Sequence, residues 1–338
     1  MLARMNAVIL GAGLALCIAS PALRAETSEV RLAQQFGLSY LPIHVVIEQK
    51  LIEKHARAAG LGDMKVTLAR LGSGAAMNDA LLSGSVDVGF AGTTLLLTIW
   101  DKSRAGRGDI RGMMAICDSP IYFNTIDARI KSLRDYRDGD KVAMTAPSGT
   151  QHSMVWEMAA AKEFGWDNRR KLSPLGVALP HPDAMAALLS GNHEVKTHAA
   201  TIPFIQQELA DPRVRTVLNS YDIVGGRQTL IVAYNTLKWK TDNPKTYAAV
   251  AAAFEEAMKW INADKRAAAE LYVRFEKSKT PVEQIYGMLQ DENMVYFSAT
   301  PSKVMVLADY AAKNGQMTNK PSTWKDFFFD NVHDKPGS

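Results

Sequence analysis

Apolar and polar positions along this chain alternate between strand-like runs and helix-like spacing. Val30 to Phe36 reads as a strand, Gly37 to Pro42 as a loop, and His44 to Ala59 as a helix with Val45, Ile47, Leu51 and Ile52 on helical spacing. Lys65 to Leu71 predicts a second strand, Gly72-Ser73-Gly74 a tight loop, Ala75 to Leu82 a helix, and Val86 to Phe90 a third strand. Such alternation predicts a parallel α/β sheet. Asp109 to Cys117 leads out through Asp118-Ser119-Pro120 into a second series: strand Lys141 to Thr145, helix Gln151 to Phe164, strand Leu175 to Leu179, helix Asp183 to Leu189, strand Val195 to His198. Gln228 to Tyr234 predicts a strand that returns the chain to the first unit. Pro244 to Asn314 is mostly helical, and Trp324 to Phe329 predicts a segment docked on the first unit.

The two series are related by an internal repeat. Leu81 to Thr94, LLSGSVDVGFAGTT, aligns with Leu188 to Thr201, LLSGNHEVKTHAAT, with identical Leu, Leu, Ser, Gly, Val and Thr. Each copy reads as a helix end, a Ser-Gly stop, a short strand and a Thr-bearing loop, because glycine closes a helix in the left-handed conformation. Two copies of one unit predict two lobes facing each other across a cleft. The expected division is lobe 1 at 26–117 plus 230–338, and lobe 2 at 118–229.

The amino terminus bears on compartment. Arg4 precedes the apolar run Ala7 to Ala19, and Pro21-Ala22-Leu23-Arg24-Ala25 supplies small residues for cleavage. This predicts a secretory signal peptide at 1–25, cut after Ala25 or Ala22, and an exported protein. Leu16 ahead of Cys17 stands where lipid attachment needs a small residue, so a soluble export product is expected. Loss of Cys17 leaves Cys117 as the one cysteine, which excludes an intramolecular disulfide and a cysteine-based metal site. Formal charge is +4 for the 338 residues, with no blocks of like charge, so nucleic acid is not an expected partner. With 47% apolar residues, stability is expected from packed cores of a monomer.

Candidate chemistry lies in the loops that enter helices. Ligands of open α/β sheets sit beyond the carboxyl ends of strands, where helix amino termini offer N–H groups and partial positive charge. Four loops qualify: Ser39-Tyr40, Ser73-Gly74, Thr93-Thr94, and Ser148-Gly149-Thr150-Gln151-His152. Serine and threonine in such places also serve as ordinary helix caps. His44 at the first helix either touches ligand or caps the loop. Thr201, leading off a strand toward the cleft, joins the candidates; His181 and His198, at the repeat positions of Gly74 and Ala91, do not. Tyr40, Trp100 and Tyr122 are aromatic candidates for an organic part of the ligand, and each could equally be core.

Other chemistry fits less well. His193-Glu194 and His198 are spaced one residue too far apart for a zinc-binding helix face, and no Gly-x-Ser-x-Gly elbow is present. No metal, cofactor or catalytic residue is expected.

The run Ser39-Tyr40-Leu41-Pro42, the run GSGAAMNDALLSGSVDVGFAGTT, and IKSLRDYRDGDKVAM followed by SGTQHS together resemble the solute-binding proteins of nitrate/sulfonate/taurine-type ABC importers. Ser132 to Tyr136 and Ala80 to Asp87 are the most specific marks, and the resemblance covers essentially the whole chain after residue 25. It implies a type II periplasmic-binding fold: two α/β lobes, each a mainly parallel sheet flanked by helices, joined by two crossover strands and closing on one ligand. It also implies a small anion as ligand and an ABC permease with its ATPase as partners. A receptor for a thiamine pyrimidine precursor is the alternative. An enzyme of the same fold that makes the thiamine pyrimidine ranks below both, since its cysteine-rich motif has no counterpart here.

Overall fold

The computed structural model describes residues 25–104 and 108–338. The expected signal peptide at 1–25 lies, but for its last residue, outside the described residues. In the first half, strand β1 (Glu29–Gln34) is followed by helices α1 (Leu41–Glu48) and α2 (Leu51–Ala58), β2 (Lys65–Arg70), α3 (Gly74–Leu82), β3 (Val88–Gly92), α4 (Thr93–Ser103) and β4 (Ile110–Asp118). The single helix expected over His44 to Ala59 is two helices, because Lys50 adopts a left-handed backbone (φ 52°) and restarts the spiral. The apolar run Leu95 to Trp100 lies within α4.

Strand β5 (Tyr122–Thr125) opens the second half, followed by β6 (Lys141–Met144), α5 (Gln151–Phe164), β7 (Gly176–Ala178), α6 (His181–Ser190), β8 (Val195–Ala200), α7 (Phe204–Leu209), β9 (Arg215–Asn219) and α8 (Ser220–Val224). The chain then returns along β10 (Thr229–Thr236) and finishes in α9 (Leu237–Asp242), α10 (Pro244–Ala263), α11 (Lys265–Glu276), α12 (Val282–Gln290) and α13 (Val304–Lys313).

Two five-stranded sheets result, ordered β2-β1-β3-β10-β4 and β7-β6-β8-β5-β9. They are copies of one topology. In the first, β1 runs parallel to β2 and β3 while β10 is antiparallel to β3 and β4; in the second, β6 runs parallel to β7 and β8 while β5 is antiparallel to β8 and β9. The glycine stops of the repeat sit alike: Gly84 after α3 has φ 72° and Gly191 after α6 has φ 70°. Thus each lobe is built by the same strand–helix alternation, and the carboxyl ends of the parallel strands face the other lobe.

In each sheet the antiparallel strand is the one the chain enters directly after a crossing, β5 in the second sheet and β10 in the first. The chain leaves lobe 1 at Asp118, which pairs with Thr229 where the chain returns, so both crossings lie side by side. The Asp118 and Tyr296 backbones also exchange two hydrogen bonds, Asp118 N to Tyr296 O at 2.8 Å and Tyr296 N to Asp118 O at 2.9 Å. The carboxyl-terminal helices cover lobe 1, α10 against α1 and α2, while α13 touches both α4 and α5. Trp324 to Phe329 docks on lobe 1 as its apolar pattern predicts: Phe329 N donates to Gly112 O at 2.9 Å, and Phe327 packs on Trp100.

The lobes meet across the cleft. Leu38 N donates to Ile202 O at 3.1 Å, and Gln151 Nε2 of α5 donates to Thr229 O on β10 at 3.1 Å. No helix among the described residues is long and apolar enough to cross a membrane.

Candidate functional site

Between the lobes lies a small cavity. Gln35, Phe36, Ser39, Tyr40, Gly74, Gly92 and Leu95 line it from lobe 1, Thr145, Thr150, Gln151, His152, His181 and Thr201 from lobe 2, and Leu230 and Ile231 from the returning strand. The repeat explains why the cavity is there. Gly74 begins α3, Gly92 precedes α4, Thr150 and Gln151 begin α5, and His181 begins α6, so four helix amino termini converge on it.

Thr150 builds the α5 terminus with a reciprocal cap. Its hydroxyl accepts from Ser153 N at 3.2 Å, and Ser153 Oγ accepts from Thr150 N at 3.1 Å. That cap holds Gln151 and His152 in the first turn. Both are buried, and each leaves one polar atom without a partner, Gln151 Oε1 and His152 Nε2. A buried polar atom left unpaired is costly, so these two atoms mark where a ligand would add bonds. His152 Nδ1 lies 3.3 Å from the Thr145 hydroxyl. Burial, and then the charge of His198, push the His152 imidazole down to about 3, so it stands neutral at ordinary pH.

Seven residues singled out in the sequence meet at this cavity: Ser39, Tyr40, Gly74, Thr150, Gln151, His152 and Thr201. Six do not line it. His44 turns into lobe 1, where it stacks on Phe275 at 4.4 Å and lies 3.1 Å from the Glu276 carboxylate. Burial pushes the His44 imidazole down, and the Glu276 bond only partly opposes it. Ser73 caps α3 by accepting from Ala76 N at 3.2 Å. The Thr93 hydroxyl donates to Thr229 O at 2.8 Å, tying α4 to the returning strand, and Thr94 is buried within α4. Ser148 and Gly149 form the exposed tip of their loop, directly before the cavity-lining Thr150.

The aromatic candidates separate likewise. Tyr40 lines the cavity and donates to Gln35 Oε1 at 3.2 Å. Trp100 is fully buried in lobe 1, its Nε1 donating to Asp326 O at 2.7 Å, and Tyr122 pairs with Ala200 and Asn219 inside the second sheet. Burial and the neighbouring Asp118 charge push the Cys117 thiol up, which leaves no thiolate for chemistry.

Lining residues that the loop argument passed over include Gln35, Phe36, Thr145, Leu95 and His181. His181 carried a readable signal. The repeat places His181 and His198 at the positions of Gly74 and Ala91, so two small residues of one lobe are both histidine in the other. Those two rings touch, with His181 Nδ1 2.8 Å from His198 Nε2. Among the described residues no three His, Cys, Asp or Glu side chains are placed to hold a metal ion.

Gly74 has a steric reason to lack a side chain. A Cβ there would fall 2.1 Å from Leu95 Cδ1 and drive that side chain into the cavity. Gly74→Ala is expected to weaken ligand binding about tenfold while changing unfolding free energy by less than about 1 kcal/mol, as titration calorimetry beside denaturant unfolding would show.

The fold and its interlobe cavity define a two-lobed periplasmic-binding architecture. The alkanesulfonate-binding protein SsuA from Xanthomonas axonopodis pv. citri, solved bound to MOPS, superposes with a TM-score of 0.68 at 16% identity, covering 88% of this chain and 96% of that one. The periplasmic nitrate-binding protein NrtA from Synechocystis PCC 6803 superposes with a TM-score of 0.69 at 17% identity, covering 89% and 84%. The periplasmic aliphatic sulphonate binding protein SsuA from Escherichia coli gives 0.63 at 18% identity, covering 90% and 92%. No curated protein sequence matches this chain. The profile of the NMT1-like family matches residues 24–274, and the chain belongs to that family.

Proposed function

We propose that this protein is an exported solute receptor that captures a small oxyanion, a sulfonate, an organic carboxylate or a nitrate-like ion, and delivers it to an ABC permease and its ATPase. The observation that carries the reading is the convergence of four helix amino termini on a cavity of hydroxyls, amides and neutral imidazoles. Among the described lining residues there is no Asp or Glu to repel an anion, and no Lys or Arg to hold it too tightly for release. First-turn N–H groups and their partial positive charge suit an oxyanion without a formal countercharge. Structural neighbours named for sulfonate and nitrate binding agree with that ligand class. Ser39, Tyr40, Thr150, Gln151, His152 and Thr201 are the contacts we assign.

In this reading the protein does no chemistry. Contacts such as Leu38 N to Ile202 O form only when the lobes approach, so a membrane permease can tell the loaded form from the empty one.

A thermal-shift screen of residues 26–338 against alkyl and aryl sulfonates, nitrate, aromatic carboxylates and thiamine precursors tests the proposal. An anion at a hundred times its Kd is expected to add about 2.7 kcal/mol of stability. Gln151→Ala combined with His152→Ala should remove that gain. Shifts with cationic precursors alone, or with none of these compounds, would sink the anion reading.

A further inference from the structure

Behind the cavity wall, inside lobe 2, a line of buried polar side chains runs from Thr201 to a carboxylate. Thr201 Oγ1 lies 3.3 Å from His181 Nε2, His181 Nδ1 lies 2.8 Å from His198 Nε2, and His198 Nδ1 is bonded to Glu208 Oε1. The far end is fixed. Asn124 Nδ2 donates to Glu208 Oε2 at 2.9 Å, and the Thr216 hydroxyl donates to Asn124 Oδ1 at 2.8 Å. All of Asn124, His181, His198, Thr201 and Glu208 are buried, yet Thr201 and His181 also line the cavity.

Each ring nitrogen in this line has one partner, so the direction of every bond depends on its neighbour. With His198 neutral, its Nδ1–H donates to Glu208 and its Nε2 accepts from His181 Nδ1–H. His181 Nε2 then accepts the Thr201 hydroxyl proton, and Thr201 turns only lone pairs toward the cavity. With one proton added to His198, His198 Nε2–H donates to His181 Nδ1, and His181 Nε2–H donates to Thr201. The Thr201 proton is then free for a ligand oxygen. The proton rests on His198 next to Glu208, where the pair carries no net charge, while His181 stays neutral in both states and only changes tautomer.

We infer that the Glu208–His198–His181–Thr201 chain is a proton-set selector of the cavity, which binds an oxyanion when one proton turns Thr201 into a donor. For its ligand the inference rests on the anion reading above; the bond reversal itself does not. Burial, with repulsion from His198 and His152, holds His181 well below its usual range, in keeping with a ring that relays without charging. The titratable groups facing the chain are His152 from α5, His181 from α6 and Glu208 from α7. From β5 and β9 the neighbours are the uncharged Asn124 and Thr216. Phe204 of α7 stacks on His181 at 5.3 Å and holds the ring plane.

The test is nitrogen NMR of histidine-labelled protein without ligand from pH 5 to 10, which distinguishes Nδ1–H from Nε2–H rings. His181 is expected to stay neutral and to switch from Nε2–H to Nδ1–H in the same step in which His198 loses its proton. A His181 tautomer that stays fixed over this range overturns the inference. In Glu208→Gln the step should move down by more than about one pH unit, since the charge that holds the proton is gone; an unmoved step also overturns it. With ethanesulfonate and nitrate as probes, affinity of the wild type should fall about tenfold per pH unit above the step, as linkage to one proton requires. Thr201→Ser should keep that dependence and Thr201→Val should lose it; a Thr201→Val protein with an unchanged pH profile removes Thr201 from the chain. If neither probe binds at any pH, ethanesulfonate and nitrate are excluded as ligands, while the ligand-free spectra still decide the reversal.

Discussion

Trp100→Ala is expected to lower the unfolding free energy by about 3–5 kcal/mol, the usual cost of emptying a buried aromatic site. Trp100 is fully buried on α4, packs on Phe327 at 4.6 Å between ring centres, and donates its Nε1 proton to Asp326 O at 2.7 Å. It therefore anchors the carboxyl-terminal segment, whose turn is closed by a reciprocal Thr323–Asp326 cap and whose Phe328 ring lies over Gly112. The loss is expected to have two separable parts. Trp100→Phe restores most of the packed ring but leaves the Asp326 carbonyl without its donor, so about 1–2 kcal/mol should remain. Denaturant unfolding of both variants measures the split, and amide exchange at Phe329, bonded to Gly112, should quicken in Trp100→Ala. Equal stability of Trp100→Ala and wild type would mean that the segment does not depend on this contact.

What could be read from the sequence follows from where its signals are local. The alternation of β1, β2 and β3 with their helices, and the duplicate order in lobe 2, rest on apolar runs and glycine stops that act within a few residues. β5 and β9 left no such mark: Tyr122-Phe123-Asn124-Thr125 and Arg215-Thr216-Val217-Leu218-Asn219 are short and partly polar, and become strands because each finds a neighbour far along the chain. The break at Lys50 was equally hidden, since a lysine in left-handed conformation carries no sequence signature of its own. Within the site, the loops were legible and the direction of each side chain was not. Ser148 and His152 stand four residues apart in one loop–helix junction, yet one is exposed at the tip and the other lines the cavity. His44 follows Tyr40 by one helical turn and still packs against α11 on the other side of α1. A buried relay such as His181–His198–Glu208 depends on distances between α6, β8 and α7, which only folding sets.

The other large effect concerns pH and lies where the chain crosses between lobes. Asp118 is buried beside Thr229, whose hydroxyl donates to Asp118 Oδ1 at 2.8 Å and accepts from Ser302 N at 2.8 Å. Burial raises the Asp118 carboxyl from 3.8 to about 6, against the opposing bonds of Thr229 and Ser302 and the charge of Arg227. A carboxyl that holds its proton more tightly when folded makes the unfolded state bind fewer protons between these values, so its effect on stability is a loss as pH rises. That loss begins near pH 4, is complete above pH 6, and amounts to about 2–3 kcal/mol. Neutral buried His152 and His181 act in the opposite sense, because their depressed values make the unfolded state the better proton acceptor below about pH 6.5. The net profile of the wild type mixes the two. Asp118→Asn separates them, since the amide oxygen can still accept the Thr229 proton while no charge is left to bury. The variant is expected to match the wild type within about 1 kcal/mol at pH 4 and to exceed it by about 2 kcal/mol at pH 8, with the difference growing between pH 4 and 6. Urea unfolding of both proteins across that range gives the difference curve directly. A variant that is less stable at pH 8 would show that the ionised carboxylate is held favourably by Arg227 and the hydroxyl, and that the crossing between lobes is built around a charge.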